Sequence, residues 1–317
     1  MTSSTAGRLP RIGYLGPPGT FTEMALLRLP EAETCEAVPC PSVDAALARV
    51  RAGELDSAVV AIENSVEGGV SATLDGLAVG APLHLVGEVL VPIRFVLAAR
   101  PGTRMEDIRA VSTHSHAWAQ VRGWMARNLP TATFLPALSN AAAAADLAGE
   151  TDVPFQAAVC PQIAADRHGL VPLADDIGDI PDAVTRFVVA ARPGRLPLPT
   201  GADKTTVVLS QRDDRPGGLL GLLEQFAARG INLTRIESRP TKHSLGSYSF
   251  SVDLEGHVED ERVGETLMGL RRICAEVRFL GSYPRADRRP AEIDPDHDDA
   301  AYVSARAWLD GLRARTA

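Results

Sequence analysis

The sequence predicts an α/β protein in which strand, loop and helix units build two lobes, followed by a smaller unit of βαββαβ order. Three observations predict it. Short apolar runs at 12–15, 58–62 and 134–135, and the segment Val111-Ser112-Thr113, each lead toward a stretch of helical period. That is the pattern of a parallel sheet with helices on its faces and a ligand crevice at the carboxyl ends of its strands. Residues 192–202, with Pro193, Pro197 and Pro199 set among Gly194 and Gly201, hold neither helix nor central strand, because proline lacks the donor and fixes the backbone; they read as a linker. Beyond them the runs 205–209, 218–229, 231–238, 246–254, 259–273 and 277–280 alternate as β, α, β, β, α, β, the ferredoxin-like order.

Taken in order, strand 12–15 leads through Gly16-Pro17-Pro18-Gly19-Thr20-Phe21-Thr22-Glu23 into a helical stretch at 24–29. Thr20 and Glu23 have capping-box spacing, and a helix start attracts anions, although the lysine of a nucleotide-binding loop is missing. Helix 43–51 and strand 58–62 follow, the strand ending in polar residues 63–69 before Val70, Leu74 and Leu77 recur at helical spacing. Runs 83–86 and 88–98 are strand-like. Residues 111–113 lead into a helix at 114–129 that sets Trp118, Val121 and Met125 on one face, with Thr113, His114, His116 and Gln120 near its start. Two helical histidines two residues apart point different ways, and no third ligand presents itself, so a metal site is discounted. Strand 134–135, the cap Ser139-Asn140 of an alanine-rich helix ending at 148, and the buried run 157–160 continue the pattern. After 161–168 and 171–173, the acidic loop 175–179 returns the chain to an apolar strand at 187–191 with Thr185 and Arg186 at its mouth. A sheet interrupted near Val91 and resumed near Ile180 divides residues 11–191 into one lobe of about 11–90 and 178–191 and another of about 91–177. The second domain spans 203–284. The tail 285–317 begins polar and acidic, which reads as disordered to 300, while Ala301, Ala305, Trp308 and Leu312 predict one last amphipathic helix, docked or used for association.

Composition excludes several classes. The 317 residues suffice for two or three cores, and 45% hydrophobic with 23% charged residues describes an ordinary soluble protein. A net charge of −8 argues against a nucleic-acid surface, so an anionic substrate must be met locally. Residues 1–10 lack the apolar core of a signal peptide, and 83–99 is broken by Glu88, Pro92 and Arg94, so a cytoplasmic protein without membrane partners is expected. Cys35, Cys40, Cys160 and Cys274 lack CxxC spacing and read as reduced.

The loops Gly16–Phe21 (GPPGTF), Glu63–Gly69 (ENSVEGG), Thr113–Gln120 (THSHAWAQ) and Thr185–Phe187 (TRF) stand in the order found in prephenate dehydratases, which this sequence resembles. The second domain is similar to an ACT domain through Arg215-Pro216-Gly217-Gly218-Leu219, Asn232-Leu233-Thr234, Glu237-Ser238-Arg239-Pro240 and Gly281-Ser282-Tyr283-Pro284. The resemblance implies a two-lobed catalytic fold like that of type 2 periplasmic binding proteins. It implies conversion of prephenate to phenylpyruvate with loss of carbon dioxide and water, no cofactor, and feedback regulation by phenylalanine. It places the essential threonine on Thr185 and substrate-binding polar residues on Asn64, Thr113 and Gln120, with Thr20 in the matching first loop and Phe187 completing the TRF motif. Ala183 stands where many members have asparagine, and Ser115-His116 replaces a common Pro-Gln.

Prephenate carries two carboxylates, and its ring hydroxyl leaves from the carbon opposite the departing carboxylate, so the hydroxyl needs a proton or a strong hydrogen bond. Thr185 would supply the bond, and Glu63 and His114 are candidate proton sources. Ser65 is a neutral donor suited to orienting a dianion; Arg186 is the cation nearest in sequence, although strand neighbours face opposite ways. By resemblance the phenylalanine site uses Gly217, Gly218, Leu219, Asn232, Leu233, Glu237, Ser238, Arg239 and Pro240, and ACT pairing implies a homodimer or homotetramer. Arogenate dehydratase and a non-catalytic amino-acid sensor are the competing readings.

Overall fold

The computed structural model describes residues 8–149, 152–213, 215–240 and 248–316. The first strands form one sheet from β1 (Arg11–Leu15), β2 (Glu36–Cys40), β3 (Ser57–Asn64), the short β4 (Gly68–Gly69), β5 (His84–Pro92) and, much later, β11 (Val184–Ala191). Their order is β2-β1-β3-β11-β5, with β4 beside β3, and β1 pairs in parallel with both β2 and β3. Helices α1 (Phe21–Leu26), α2 (Val43–Ala52) and α3 (Ser71–Ala78) connect these strands.

A second sheet holds β6 (Val96–Ala99), β7 (Ala110–Thr113), β8 (Thr133–Pro136), β9 (Ala157–Cys160) and β10 (Val171–Ala174), in the order β10-β6-β9-β7-β8. Helices α4 (Ser115–Asn128), α5 (Asn140–Ala148) and α6 (Gln162–Arg167) join them. This sheet is mixed where a parallel one was expected: β7 is parallel to β8 and β9, but β6 is antiparallel to β9 and β10. The chain passes from β5 to β6 through residues 93–95 alone, and so crosses directly from the first sheet into the second. The strand-like run 88–98 is therefore cut at 93–95 and shared between two sheets. Alanines explain how α5 seats: Ala141, Ala143 and Ala144 are fully buried, letting the helix approach the small side chains of Ala158 and Cys160.

Helix starts follow local chemistry. Thr20 Oγ1 accepts from the Glu23 amide at 3.3 Å, and Ser42 and Ser139 cap α2 and α5 in the same way at 3.1 and 2.9 Å. The first helix thus begins at Phe21, three residues before the periodic run starts. Glu23 does not complete a reciprocal box; its carboxylate accepts from Gly19 N–H at 2.6 Å and pairs with Arg167 at 3.0 Å. The Tyr14 hydroxyl lies 3.4 Å from the same carboxylate, and burial followed by that charge pushes the phenol up to about 12.

The remaining elements are β12 (Asp203–Ser210), α7 (Gly218–Ala227), β13 (Leu233–Pro240), β14 (Tyr248–Glu255), α8 (Glu261–Ile273), β15 (Glu276–Pro284) and α9 (Asp299–Arg313). The sheet β13-β14-β12-β15 is antiparallel throughout and packs Val207, Leu209, Phe250, Val252 and Leu254 against Leu222, Phe226, Val263 and Leu270 of the helices. The expected βαββαβ order is the observed one; Gly246 and Ser247, expected at the start of its third strand, lie outside the described residues, as do 1–7 and Ala317. The tail corrects an expectation. Arg285 pairs with both Glu255 and Asp287, the Ala286 amide donates to Glu88 at 2.9 Å, and a short 3₁₀ turn at Pro295–His297 precedes α9. The Arg285 guanidinium holds the Asp287 carboxyl down to about 2.

The chain divides into two compact units, Met1–Thr73 with Val89–Phe187, and Leu74–Glu88 with Val188–Ala317. Among the described residues no helix is long and apolar enough to cross a membrane.

On the sheet face away from α7 and α8, Arg235 and Asp253 form a fully buried pair at 2.9 Å, with Thr206 and Ser251 bonded to the same two side chains. Removing one partner strands the other charge in the interior. Asp253→Ala should cost about 3–5 kcal/mol, read as a lowered urea midpoint for the second unit; a loss near zero would show the pair to be solvated.

Candidate active site

A cleft of about 300 Å³ opens within the first unit, at the ends of β1 and β3 and the start of β11. The start of β11 lies beside the end of β3, since Ser65 N–H donates to Val184 O at 2.9 Å and Ser65 Oγ accepts from Val184 N–H at 3.0 Å. Leu15, Ile93, Phe95 and Phe187 give one part of the cleft an apolar wall, and Phe21 meets Phe95 edge-on at 5.5 Å. Its polar part comes from Thr20, Asn64, Glu67, His114, His116, Gln120, Ser139, Asn140 and Thr185. Among the described residues neither lysine nor arginine lines it. The starts of α4 and α5 border it instead, where unpaired amides and the helix dipole carry partial positive charge.

Thr185 is buried in the cleft wall and its orientation can be read from its partners. The Val66 amide donates to Asn64 Oδ1 at 2.7 Å, so the Asn64 amide can turn only its nitrogen outward; Nδ2 then donates to Thr185 Oγ1 at 2.9 Å. Thr185 accepts this bond, which leaves its own O–H to be donated.

His114 is the N-cap of α4 with extended backbone, and its Nδ1 accepts from the His116 amide at 3.3 Å. The proton of the neutral ring therefore sits on Nε2. Burial, helped by the neighbouring His116, lowers the His114 pKa, while Glu67 opposes the shift. The two histidines do not diverge as two helical residues would; because His114 precedes the helix, the rings meet edge-on at 4.9 Å. His116 Nδ1 and Glu67 lie 3.1 Å apart at the exposed rim, a pair worth little in water.

The other expected residues separate into two groups. Thr20, Asn64, Gln120 and Phe187 line the cleft with Thr185. Thr113 does not: it is fully buried, donates to Val159 O at 2.7 Å and so ties β7 to β9, while Asn140 Oδ1 lies 3.1 Å away and also accepts from the His114 amide. Ser65 clamps the start of β11. Arg186 is turned from the cleft, its Nε donating to Glu63 at 3.1 Å, which also takes Glu63 out of reach as a proton source. His116, which the sequence places near the start of α4, lines the cleft, as do Glu67 of the Glu63–Gly69 motif and Asn140, whose capping signal hides a place in the wall.

In the second unit, Gly217 caps α7 with φ of 79°, a left-handed conformation that glycine adopts without strain. Strand alternation splits the Glu237–Pro240 segment: Ser238 and Pro240 share one face with exposed Ile236, whereas Glu237 and Arg239 lie on the face of Arg235, where Arg239 pairs with Asp75 at 2.9 Å.

Because His114 is held neutral, the folded chain binds its proton less readily than the unfolded chain. Stability must then fall as pH drops through the interval below the ordinary histidine value of about 6.5. His114→Asn keeps an acceptor for the His116 amide and removes the titration. The fall in urea midpoint between pH 7 and 5 should be smaller in this variant; an equal fall would assign the effect to another group.

The family model described as prephenate dehydratase matches residues 12–195, and that described as ACT domain matches 205–272. A prephenate dehydratase of Mycolicibacterium vanbaalenii is 47% identical over 319 residues, covering 96% of this chain and 99% of its own. The structure of an Arthrobacter aurescens prephenate dehydratase in complex with L-Phe is 55% identical, with a TM-score of 0.91 over 96% of this chain and 99% of that one. The Staphylococcus aureus prephenate dehydratase is similar at 27% identity, with a TM-score of 0.72 over 86% and 99%. With both domain models in order along one chain and near-complete coverage by these relatives, the chain belongs to the prephenate dehydratase family, with an ACT domain following the catalytic domain.

Proposed function

We propose that the cleft converts prephenate to phenylpyruvate, carbon dioxide and water, with Thr185 as the catalytic residue. The observation that carries this reading is the Asn64 amide fixed by Val66 N–H and donating to Thr185, which leaves the threonine proton to be donated to a bound oxygen. In the reaction the bond from the ring to its carboxylate breaks and the electron pair becomes part of the aromatic ring. The hydroxyl on the opposite carbon departs and takes up one proton, so one proton is consumed overall. Thr185 is too weak an acid to give up its own proton outright. Its hydrogen bond meets the negative charge that develops on the leaving oxygen, the kind of help worth about 10² to 10³ in rate. The carboxylate that becomes neutral carbon dioxide fits the wall of Ile93, Phe95 and Phe187, where poor solvation favours its loss. Gln120, Thr20, Asn140 and the starts of α4 and α5 suit the remaining carboxylate. Ser65, Thr113 and Arg186 act by position.

One observation favours a second substrate. Glu67 is a carboxylate at the rim of the cleft, and arogenate carries an ammonium where prephenate has a keto oxygen. A competition between the two substrates in one assay decides between them.

Phenylalanine is the proposed effector, supported by the L-Phe complex of the Arthrobacter relative, with Gly217, Gly218, Leu219, Asn232 and Leu233 beside Ser238 and Pro240 as its site. Glu237 and Arg239 lie on the other face and serve the site from the far side of the strand. ACT pairing makes the working form a homodimer or homotetramer, and four free cysteines suit a reducing, cytoplasmic setting.

Phenylpyruvate formation from prephenate tests the mechanism. Asn64→Asp should lower kcat by about 10²-fold or more, because a carboxylate would accept the threonine proton and turn it from the substrate; Thr185→Ser should keep most turnover and Thr185→Val should lose it. Parent-like rates for Asn64→Asp would remove the threonine proton from the mechanism. Gly217→Val strains a left-handed cap by about 1–2 kcal/mol and should weaken inhibition by phenylalanine without changing turnover in its absence; unchanged inhibition would move the effector site elsewhere.

A further inference from the structure

We propose that Asp179, with Gly123, is a positioning device that holds Gln120 in register with Thr185. The acidic loop that precedes β11 is tied down on its way to Thr185. The Ile177 amide donates to Phe95 O at 3.0 Å, and Ile93 N–H donates to Ala183 O at 2.7 Å. Between these anchors Asp179 engages the middle of α4. Its amide donates to the Gln120 carbonyl at 2.7 Å, and its carboxylate accepts from Gly123 N–H at 2.6 Å and Trp124 N–H at 2.7 Å.

A carboxylate bonded to two amides in the third turn of a fourteen-residue helix is an N-cap placed where no helix begins. It needs room that only glycine leaves. A Cβ on residue 123 would lie 2.7 Å from Asp179 Oδ1 and 3.0 Å from its Cγ. The contact thus depends on two residues far apart in sequence, neither of which lines the cleft.

What the device fixes is the residue three positions earlier. Gln120 is buried to 7% exposure with its side chain in the cleft, and its carbonyl is the acceptor for the Asp179 amide. Six residues after Asp179 the same segment supplies Thr185. One peptide therefore sets both walls, and the span between the two groups that face the substrate is held by bonds outside the cleft.

The inference rests on prephenate turnover by this cleft, and steady-state kinetics on the full chain separate the two. Asp179→Asn replaces one acceptor by an NH₂ that opposes a backbone N–H. Gly123→Ala leaves the loop sequence intact and raises intrinsic helix propensity, but its Cβ would meet Asp179 Oδ1 at 2.7 Å and lift the carboxylate off α4. A role confined to stability would lower the urea midpoint and leave KM at the parent value. We expect each substitution to raise KM about 10-fold or more, as misplacement of a binding group does, with little change in kcat. We expect the double variant to be no worse than the worse single one, and both substitutions to be nearly silent in a Gln120→Ala background. Multiplying effects, persistence without Gln120, or a parent-like Gly123→Ala would overturn the proposal. Should Asp179→Asn fail to fold, Gly123→Ala alone carries the same readout. Absence of turnover by the parent protein would instead overturn the substrate reading.

Discussion

The proposed catalytic arrangement depends on one hydrogen bond whose direction is not free. Asn64 is held at its oxygen by a backbone amide, so its nitrogen must face Thr185, and Thr185 must accept. A hydroxyl that accepts this bond keeps its own proton for another partner, and Thr185 lines the cleft. In the proposed mechanism that donor is in place before charge develops on the leaving oxygen, which is what preorganisation means for such a site. The exchange of bonds between Ser65 and Val184 keeps the two strands in the register that this bond needs.

The charge problem is answered in an unusual currency. A dianion is expected to meet arginine or lysine, yet the cleft has neither among the described residues, and the nearest arginine in sequence is neutralised by Glu63. In the proposed reading, amide dipoles at the starts of α4 and α5, with neutral donors from asparagine, glutamine and threonine, take that place. Such groups orient carboxylates without the deep electrostatic well of an ion pair. A substrate that must lose one of its carboxylates as a neutral gas is better served by this than by a salt bridge to the group that leaves.

Much of this was legible in the residues. Apolar runs followed by polar loops located the strands, and the proline-rich linker and alternating periods located the second domain. Sequence is weaker on which way a side chain points. Thr113 and Arg186 sit within a residue of the site, but strand alternation turns one into the core and the other toward Glu63. The meeting of His114 and His116 was hidden because a helix boundary shifted by one residue changes a divergent pair into a contacting one. The mixed sheet could not be seen without knowing that 93–95 turns the chain from one sheet to the other. Long-range pairs such as Asp179 with α4 leave no local trace except a glycine inside a helix.

The proline-rich linker is a seam in the sequence but not in the packing. The compact unit that contains the ACT sheet also contains residues 74–88, held by Arg239 to Asp75, Lys204 to Glu88 and Arg278 to the Gly80 carbonyl. A recombination event at the linker would therefore carry an ACT domain away from contacts encoded more than a hundred residues upstream. A regulator exchanged at the linker would meet α3 and the first half of β5 without the partners that Arg239, Lys204 and Arg278 supply.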